Sequence, residues 1–352
     1  MPMLAELVEL VIGVDTHADT HTAAVVATRS RAVLATATVT ADEDGYTELF
    51  ALAEHHGGLR GWAIEGTGGY GAGLAHHLAK RDELVVELDR PVRPRRRAGA
   101  KSDAIDAERA ARDALSRSRL ARPKTGPERA SLQMLLTARR AAIGAATTAQ
   151  RQLRALVITA PEPARAQFRA HSTRDMIATA TRLRPTARAG VETFTALSVL
   201  RALARRIRAL EGEAAEHERA IRAIVGSWRP DLLELSGVGP INAATVLTAW
   251  SHPGRCRSDA AFAMLAGAAP IPASSGKTVR YRLNRSGDRQ LNRALHNIAL
   301  SRLRYDQPTR AYAQRRRSEG ETDRDIKRCL KRYISRQLYR QLEAHHQHLD
   351  QP

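Results

Sequence analysis

The sequence predicts an α/β domain at the N-terminus, a long-helix middle region and a mostly α C-terminal domain. Three observations carry that reading. Short β-type runs alternate with helical stretches up to Ser116, two long helical stretches follow with few breakers, and helical patterns return after Trp228 around Gly- and Pro-rich turns. The expected boundaries are 1–125, 126–227 and 228–345.

The first run, VELVIGVDTH at 8–17, is apolar and ends in Asp15 and His17. TAAVVATR at 22–29 and AVLATATVT at 32–40 follow at hairpin spacing, which gives an antiparallel meander of three strands. Asp42 is placed to cap a helix that runs to His56, with Leu49, Phe50 and Leu52 on its apolar side. LRGWAIEG at 59–66 reads as a fourth strand ending at Glu65, a helix follows from Tyr70 to Arg81, and LVVELD at 84–89 is a fifth strand. The order implies a mixed sheet. PVRPRRRAGAK at 91–101 is a basic loop broken by two prolines, and a helix starts at Ser102 or Asp103.

Residues 128–158 read as one long helix, APEP at 160–163 interrupts the pattern, and a second long helix spans 191–225. Leu200, Leu203, Ile207, Leu210, Ala214, His217, Ile221 and Ile224 recur there at spacings of three and four. Such a seam fits a coiled-coil dimerisation arm or one face of a helical bundle. LLELSGVGPINAATVLTAW at 232–250 sets Gly237 and Gly239 between two helical stretches, as in a phosphate-binding helix-hairpin-helix or a plain helix–helix turn. Pro270 to Leu283 breaks the helical pattern, which resumes at Arg289.

The net charge is +19, and the excess concentrates between Gly276 and Arg340. A polyanionic partner is the simplest physical reason, because Lys and Arg release counterions from phosphates. The two cysteines, Cys256 and Cys329, lack metal-ligand spacing, no apolar run reaches membrane length, and the N-terminus lacks a signal-peptide pattern. A cytoplasmic protein without a structural zinc site is expected.

Four carboxylates attract attention: Asp15 and Glu65 at strand ends, and Asp103 and Asp106 one turn apart at a helix start. Singly, each is an ordinary turn or capping residue. Together at one edge of an α/β sheet they repel unless cations lie between them. Mg²⁺ (or Mn²⁺) ions about 3.5–4 Å apart would satisfy the charge and clamp a phosphoryl displacement. His17 and Asp19 lie near Asp15 but fit no required position. The GTGGYG run at 66–71 suits either a tight turn or close approach of backbone to a phosphate.

The segments VIGVDTH, AIEGTGGYG and KSDAIDA resemble the DEDD-type, Piv-like transposases of insertion-sequence family one-ten. The resemblance implies a RuvC-like domain with an RNase H fold, in which Asp15, Glu65, Asp103 and Asp106 match the metal-binding acids. It continues through LAGAAPIPASSGK and SGDRQLNRAL, where Ser275, just before Gly276, matches a serine nucleophile; Ser274 is one step off. It further implies DNA recombination through a phosphoserine, guided by a structured bridge RNA, on donor and target DNA, by a homodimer or tetramer. Arg95, Arg96, Arg97, Lys101, Gly237, Gly239, Lys277, Arg280, Arg282, Arg285 and Arg289 are the expected nucleic-acid contacts. Two other functions suit the same residues: a RuvC-like junction nuclease that uses water instead of serine, and a non-catalytic nucleic-acid-binding protein.

Overall fold

The computed structural model describes residues 3–88, 102–274 and 281–347, and the chain divides after Thr125 into two compact units. None of its described helices is long and apolar enough to cross a membrane.

The first unit begins with a short helix, α1 (Leu4–Leu7), and then builds a five-stranded sheet. Strands β1 (Leu10–Thr16), β2 (Thr20–Ala27) and β3 (Val33–Thr40) form the antiparallel meander. After helix α2 (Glu43–His55), strand β4 (Arg60–Glu65) pairs parallel to β1 on its other side. Helix α3 (Ala72–Ala79) leads to β5 (Leu84–Leu88), parallel to β4, and the order across the sheet is β3-β2-β1-β4-β5. Asp42 caps α2 as the sequence suggests, its Oδ1 accepting from the Gly45 amide at 2.9 Å. Helix α4 (Asp103–Ser116) completes the unit.

Side-chain alternation sorts the two faces. Ile12, Val14, Trp62 and Ile64 pack with Leu49 of α2 and with Leu74 and Leu78 of α3. Val11, Val26, Ala63 and Val86 point the other way, against Leu4 of α1 and Ala111, Ala114 and Leu115 of α4. Both faces are covered, so β1 reads as a nearly continuous apolar run. Gly13 sits where α4 comes closest. A Cβ there would stand 2.1 Å from the Ala107 carbonyl oxygen and 2.4 Å from the Ala111 amide nitrogen, both backbone atoms that cannot swing aside.

The second unit starts with two long helices, α5 (Pro127–Thr159) and α8 (Val191–Trp228). Between them lie two shorter helices, α6 (Glu162–Arg165) and α7 (Thr173–Arg182), which the sequence reading did not resolve. Helices α5 and α8 run antiparallel: Arg139 pairs with Glu218 at 2.7 Å, and Gln150 Nε2 donates to Glu211 at 3.0 Å. Leu200 and Ile207 are buried with Leu153 and Val157, and Ile221 and Val225 with Leu132 and Leu136. The heptad seam of α8 thus packs on α5 of its own chain. Its periodicity marks an intramolecular helix pair, and no coiled coil between chains follows from it.

Helices α9 (Pro240–Trp250), α10 (Asp259–Leu265), α11 (Arg289–Tyr305), α12 (Gln307–Ser318) and α13 (Asp323–Gln347) surround one core containing Trp250, Phe262, Leu295, Ile298 and Leu338. A two-residue strand pair, β6 (Ile271–Pro272) and β7 (Tyr281–Arg282), interrupts them. The expected first helix of a helix-hairpin-helix does not form. Pro230 ends α8 and starts a 3₁₀ turn, Pro230–Leu232, and turns continue to α9. Proline lacks the amide a continuing helix needs and pushes the residue before it out of the helical region. Arg229, at φ −143° and ψ 66°, has left it.

Replacing Gly13 with alanine is expected to cost about 3 kcal/mol, the upper range for overpacking a core. Gly68, where an added Cβ meets nothing within 4 Å, should accept alanine within about 0.5 kcal/mol. Thermal melts of the two variants beside the parent protein check the contrast.

Candidate metal centre and flanking loops

Strand β1 delivers Asp15 at its C-terminal end, on the face that α4 covers. Strand β4 runs parallel beside it, with Val14 opposite Ile64, and ends on Glu65. Because Ala63 faces α4, Glu65 two residues later shares that face. Thr16 Oγ1 donates to the Glu65 carbonyl oxygen at 3.0 Å and ties the two strand ends together. The chain leaves β1 toward β2 and β3 on one side and returns as β4 on the other. Such a reversal opens a crevice at the carboxyl ends of parallel strands.

Helix α4 brings the other two acids. Ser102 is its N-cap, with Oγ accepting from the Ile105 amide at 3.4 Å, so Asp103 and Asp106 occupy the first turn. Asp106 accepts from Arg109 Nη1 at 2.9 Å. Partial burial raises the Asp15 carboxyl above its ordinary range; nearby His17 opposes that shift, while Asp103 and Asp106 reinforce it. Those influences place both helix acids within electrostatic reach of Asp15.

Asp15 and Asp103 come together with His17, which the sequence reading left aside. One ligand atom from each of the three lies within 4.8 Å of the others. His17 Nε2 is 3.2 Å from Asp15 Oδ2 and 3.6 Å from Asp103 Oδ1. The signal was present in the sequence as the i, i+2 spacing of Asp15 and His17, which puts both on one side of an extended chain. Oxygen donors dominate the cluster, and a partly buried carboxylate repelled by two others fits a hard divalent cation.

The glycine run after Glu65 divides into two kinds of residue. Gly66 adopts φ +71°, and a Cβ on Gly71 would meet Ile64 Cγ2 at 2.8 Å, so these two serve the turn and the packing. Gly68 and Gly69 face no such restriction.

In the second unit Gly237 adopts φ +77°, and a Cβ there would stand 3.0 Å from the Ile298 carbonyl oxygen on α11. Arg302 Nε of the same helix donates to the Ser236 carbonyl at 2.7 Å. The G-V-G turn therefore docks on α11, while Gly239 is the exposed N-cap of α9.

Ser275, Lys277 and Arg280 lie outside the described residues, as do Arg95, Arg96, Arg97 and Lys101. The segments that flank the serine loop are described and firmly tied. Ile271 pairs with Arg282, and Pro272 with Tyr281. Buried Asn284 donates to the Met264 carbonyl at 3.0 Å and accepts from the Ser286 amide at 3.0 Å. A Cβ on Gly287 would stand 2.3 Å from the Gly267 amide nitrogen. Asn284, Gly267 and Gly287 were not singled out in the sequence, where only the SGD turn hinted at them. Ser274, Arg282, Arg285 and Arg289 are exposed.

A raised Asp15 carboxyl means that ionising it costs folding stability, a penalty that grows as pH rises above the ordinary value of 3.8 and is complete above the folded value. Asp15→Asn should therefore melt higher than the parent in EDTA at neutral pH, and the difference should vanish below the ordinary carboxyl value of 3.8. Melting curves across pH check both halves.

Two family models match parts of the chain. A family model for the DEDD transposase of IS110 matches residues 12–160, and one described as Transposase IS116/IS110/IS902 family matches residues 230–314. No curated protein gives a significant match. The first match spans all four acids and implies divalent-metal use, and the second spans the segments that bracket Ser275. The chain thus carries two IS110-family transposase domains, and it is a transposase, an enzyme that cleaves and rejoins DNA.

Proposed function

We propose that the protein moves an insertion sequence by serine-based recombination supported by a divalent-cation centre. The observation that supports the reading is the approach of Asp15, at the end of β1, to Asp103 in the first turn of α4, with Asp106 later in that turn and Glu65 ending the parallel strand β4. The four acids would hold Mg²⁺ or Mn²⁺. Bound there, the cations would offset the charge that builds on a phosphate during strand cleavage.

In this scheme Ser275 Oγ bonds to phosphorus, a phosphate–sugar bond breaks, and the serine proton leaves on the departing hydroxyl. A hydroxyl from another strand then attacks the phosphoserine, and the serine recovers its proton. The number of phosphodiester bonds is unchanged, so no nucleotide cofactor is needed. The motif LAGAAPIPASSGK lies within the second family match, and Ser275 is preferred to Ser274 because it directly precedes Gly276, as in the family the motif resembles.

The basic residues that the sequence sets close to Asp103 and to Ser275, namely Arg95, Arg96, Arg97, Lys101, Lys277, Arg280, Arg282, Arg285 and Arg289, would contact phosphates of donor and target DNA and of a structured guide RNA. Strand exchange between two duplexes calls for two or four subunits. The work would be done in the cytoplasm, where the chromosome lies.

Asp15→Ala and Asp103→Ala should each lower DNA cleavage by at least about 10²-fold, the scale of losing one charge-stabilising group. Ser275→Ala should abolish a protein–DNA adduct that survives denaturation. Cleavage without an adduct in Ser275→Ala would favour a water-dependent junction nuclease. Activity that persists in Asp15→Ala would sink the metal-centre reading.

A further inference from the structure

The four acids leave one member of the cluster without a role. His17 stands just beyond β1, and its backbone is fixed there: its amide donates to the Thr20 carbonyl at 3.0 Å, closing the hairpin to β2. The imidazole is half exposed. Its Nε2 lies 3.2 Å from Asp15 Oδ2 and 3.6 Å from Asp103 Oδ1. Two ligands about 2.1 Å from one ion and separated by about 90–110° stand roughly 3.0–3.4 Å apart. The two imidazole distances are close to those between neighbours in one coordination sphere. The imidazole faces both carboxylates through the same nitrogen, the placement a shared ligand sphere requires.

We propose that His17 is a further ligand of the cation centre and tilts its preference from Mg²⁺ toward first-row transition-metal ions such as Mn²⁺. The proposal rests on the acidic cluster being a cation site. Mg²⁺ favours an all-oxygen shell and keeps its waters, whereas imidazole nitrogen binds transition-metal ions more strongly. One nitrogen among the carboxylates therefore separates ions that an all-acid site treats more alike. His17 is reached by the same strand end that carries Asp15, so the hairpin positions both donors without a further element.

The test is made on the full chain, with Mn²⁺ and Mg²⁺ as the only added ligands. Pulsed electron paramagnetic resonance of the Mn²⁺-loaded protein should show coupling to one directly bound ¹⁴N nucleus, absent in His17→Ala and His17→Gln. Thermal-shift titrations should show the ratio of Mn²⁺ to Mg²⁺ affinity falling about tenfold or more in both variants, since even outer-shell changes cost about 10–100-fold. Equal melting temperatures of parent and variants in EDTA establish that the fold is unchanged. Saturable Mn²⁺ binding without ¹⁴N coupling, or an unchanged affinity ratio, overturns the ligand role alone. Absence of saturable binding by the parent protein overturns the acidic site together with it.

Discussion

The close approach of α4 to β1 is the constraint on which the first unit depends. It exists because position 13 has no side chain and because Ala107 and Ala111 present small surfaces in return. Helix and strand meet at backbone distance, with Val11 and Ala63 filling the sheet side and Ala114 and Leu115 the helix side. Packing at that density fixes a helix in both translation and rotation. A helix held more loosely would let its first turn wander, and two of the four acids ride on that turn.

From that contact the site follows in order. The meander places β1 in the centre of the sheet, β4 joins it in parallel, and their ends carry Asp15 and Glu65 on the face where α4 lies. Ser102 then sets where α4 begins, and thereby where Asp103 and Asp106 stand. Burial, mutual repulsion and the imidazole of His17 all act on Asp15, the more enclosed of the two carboxylates that meet that imidazole. In the second unit the analogous rigidity lies in the fastening of residues 264–267 to 284–287, which holds the segments before and after Ser275 next to each other.

Much of the first unit was legible in the sequence because its signals are local. Strand runs ending in acids, Asp42 as a cap and Ser102 before the D-x-x-D pair each depend on a few neighbouring residues. His17 was set aside because motif matching considers positions along a pattern, whereas strand alternation brings i and i+2 to one side, next to Asp15. The seam of α8 was legible as a helix face, but periodicity carries no information on which helix covers it; the answer, α5, lies across a long connection in sequence. The helical stretch before the G-V-G turn was too short to stand alone: residues 232–236 fold as the end of a 3₁₀ turn and further turns. Positions such as Gly13, Gly267 and Gly287 could not be ranked from sequence, because what makes them necessary is a partner backbone far along the chain.

The start of α4 has one more consequence. Helices carry a partial positive charge at their amino end, about half an elementary charge, from amides that lack intrahelical partners. Asp103 and Asp106 sit in that field, so the resting protein already opposes part of the repulsion that draws cations in. An enzyme arranged this way can keep its carboxylates gathered while empty, and the ions it recruits need not double as structural glue. The gathering of these acids is then a property of the fold alone, separable from whatever they bind.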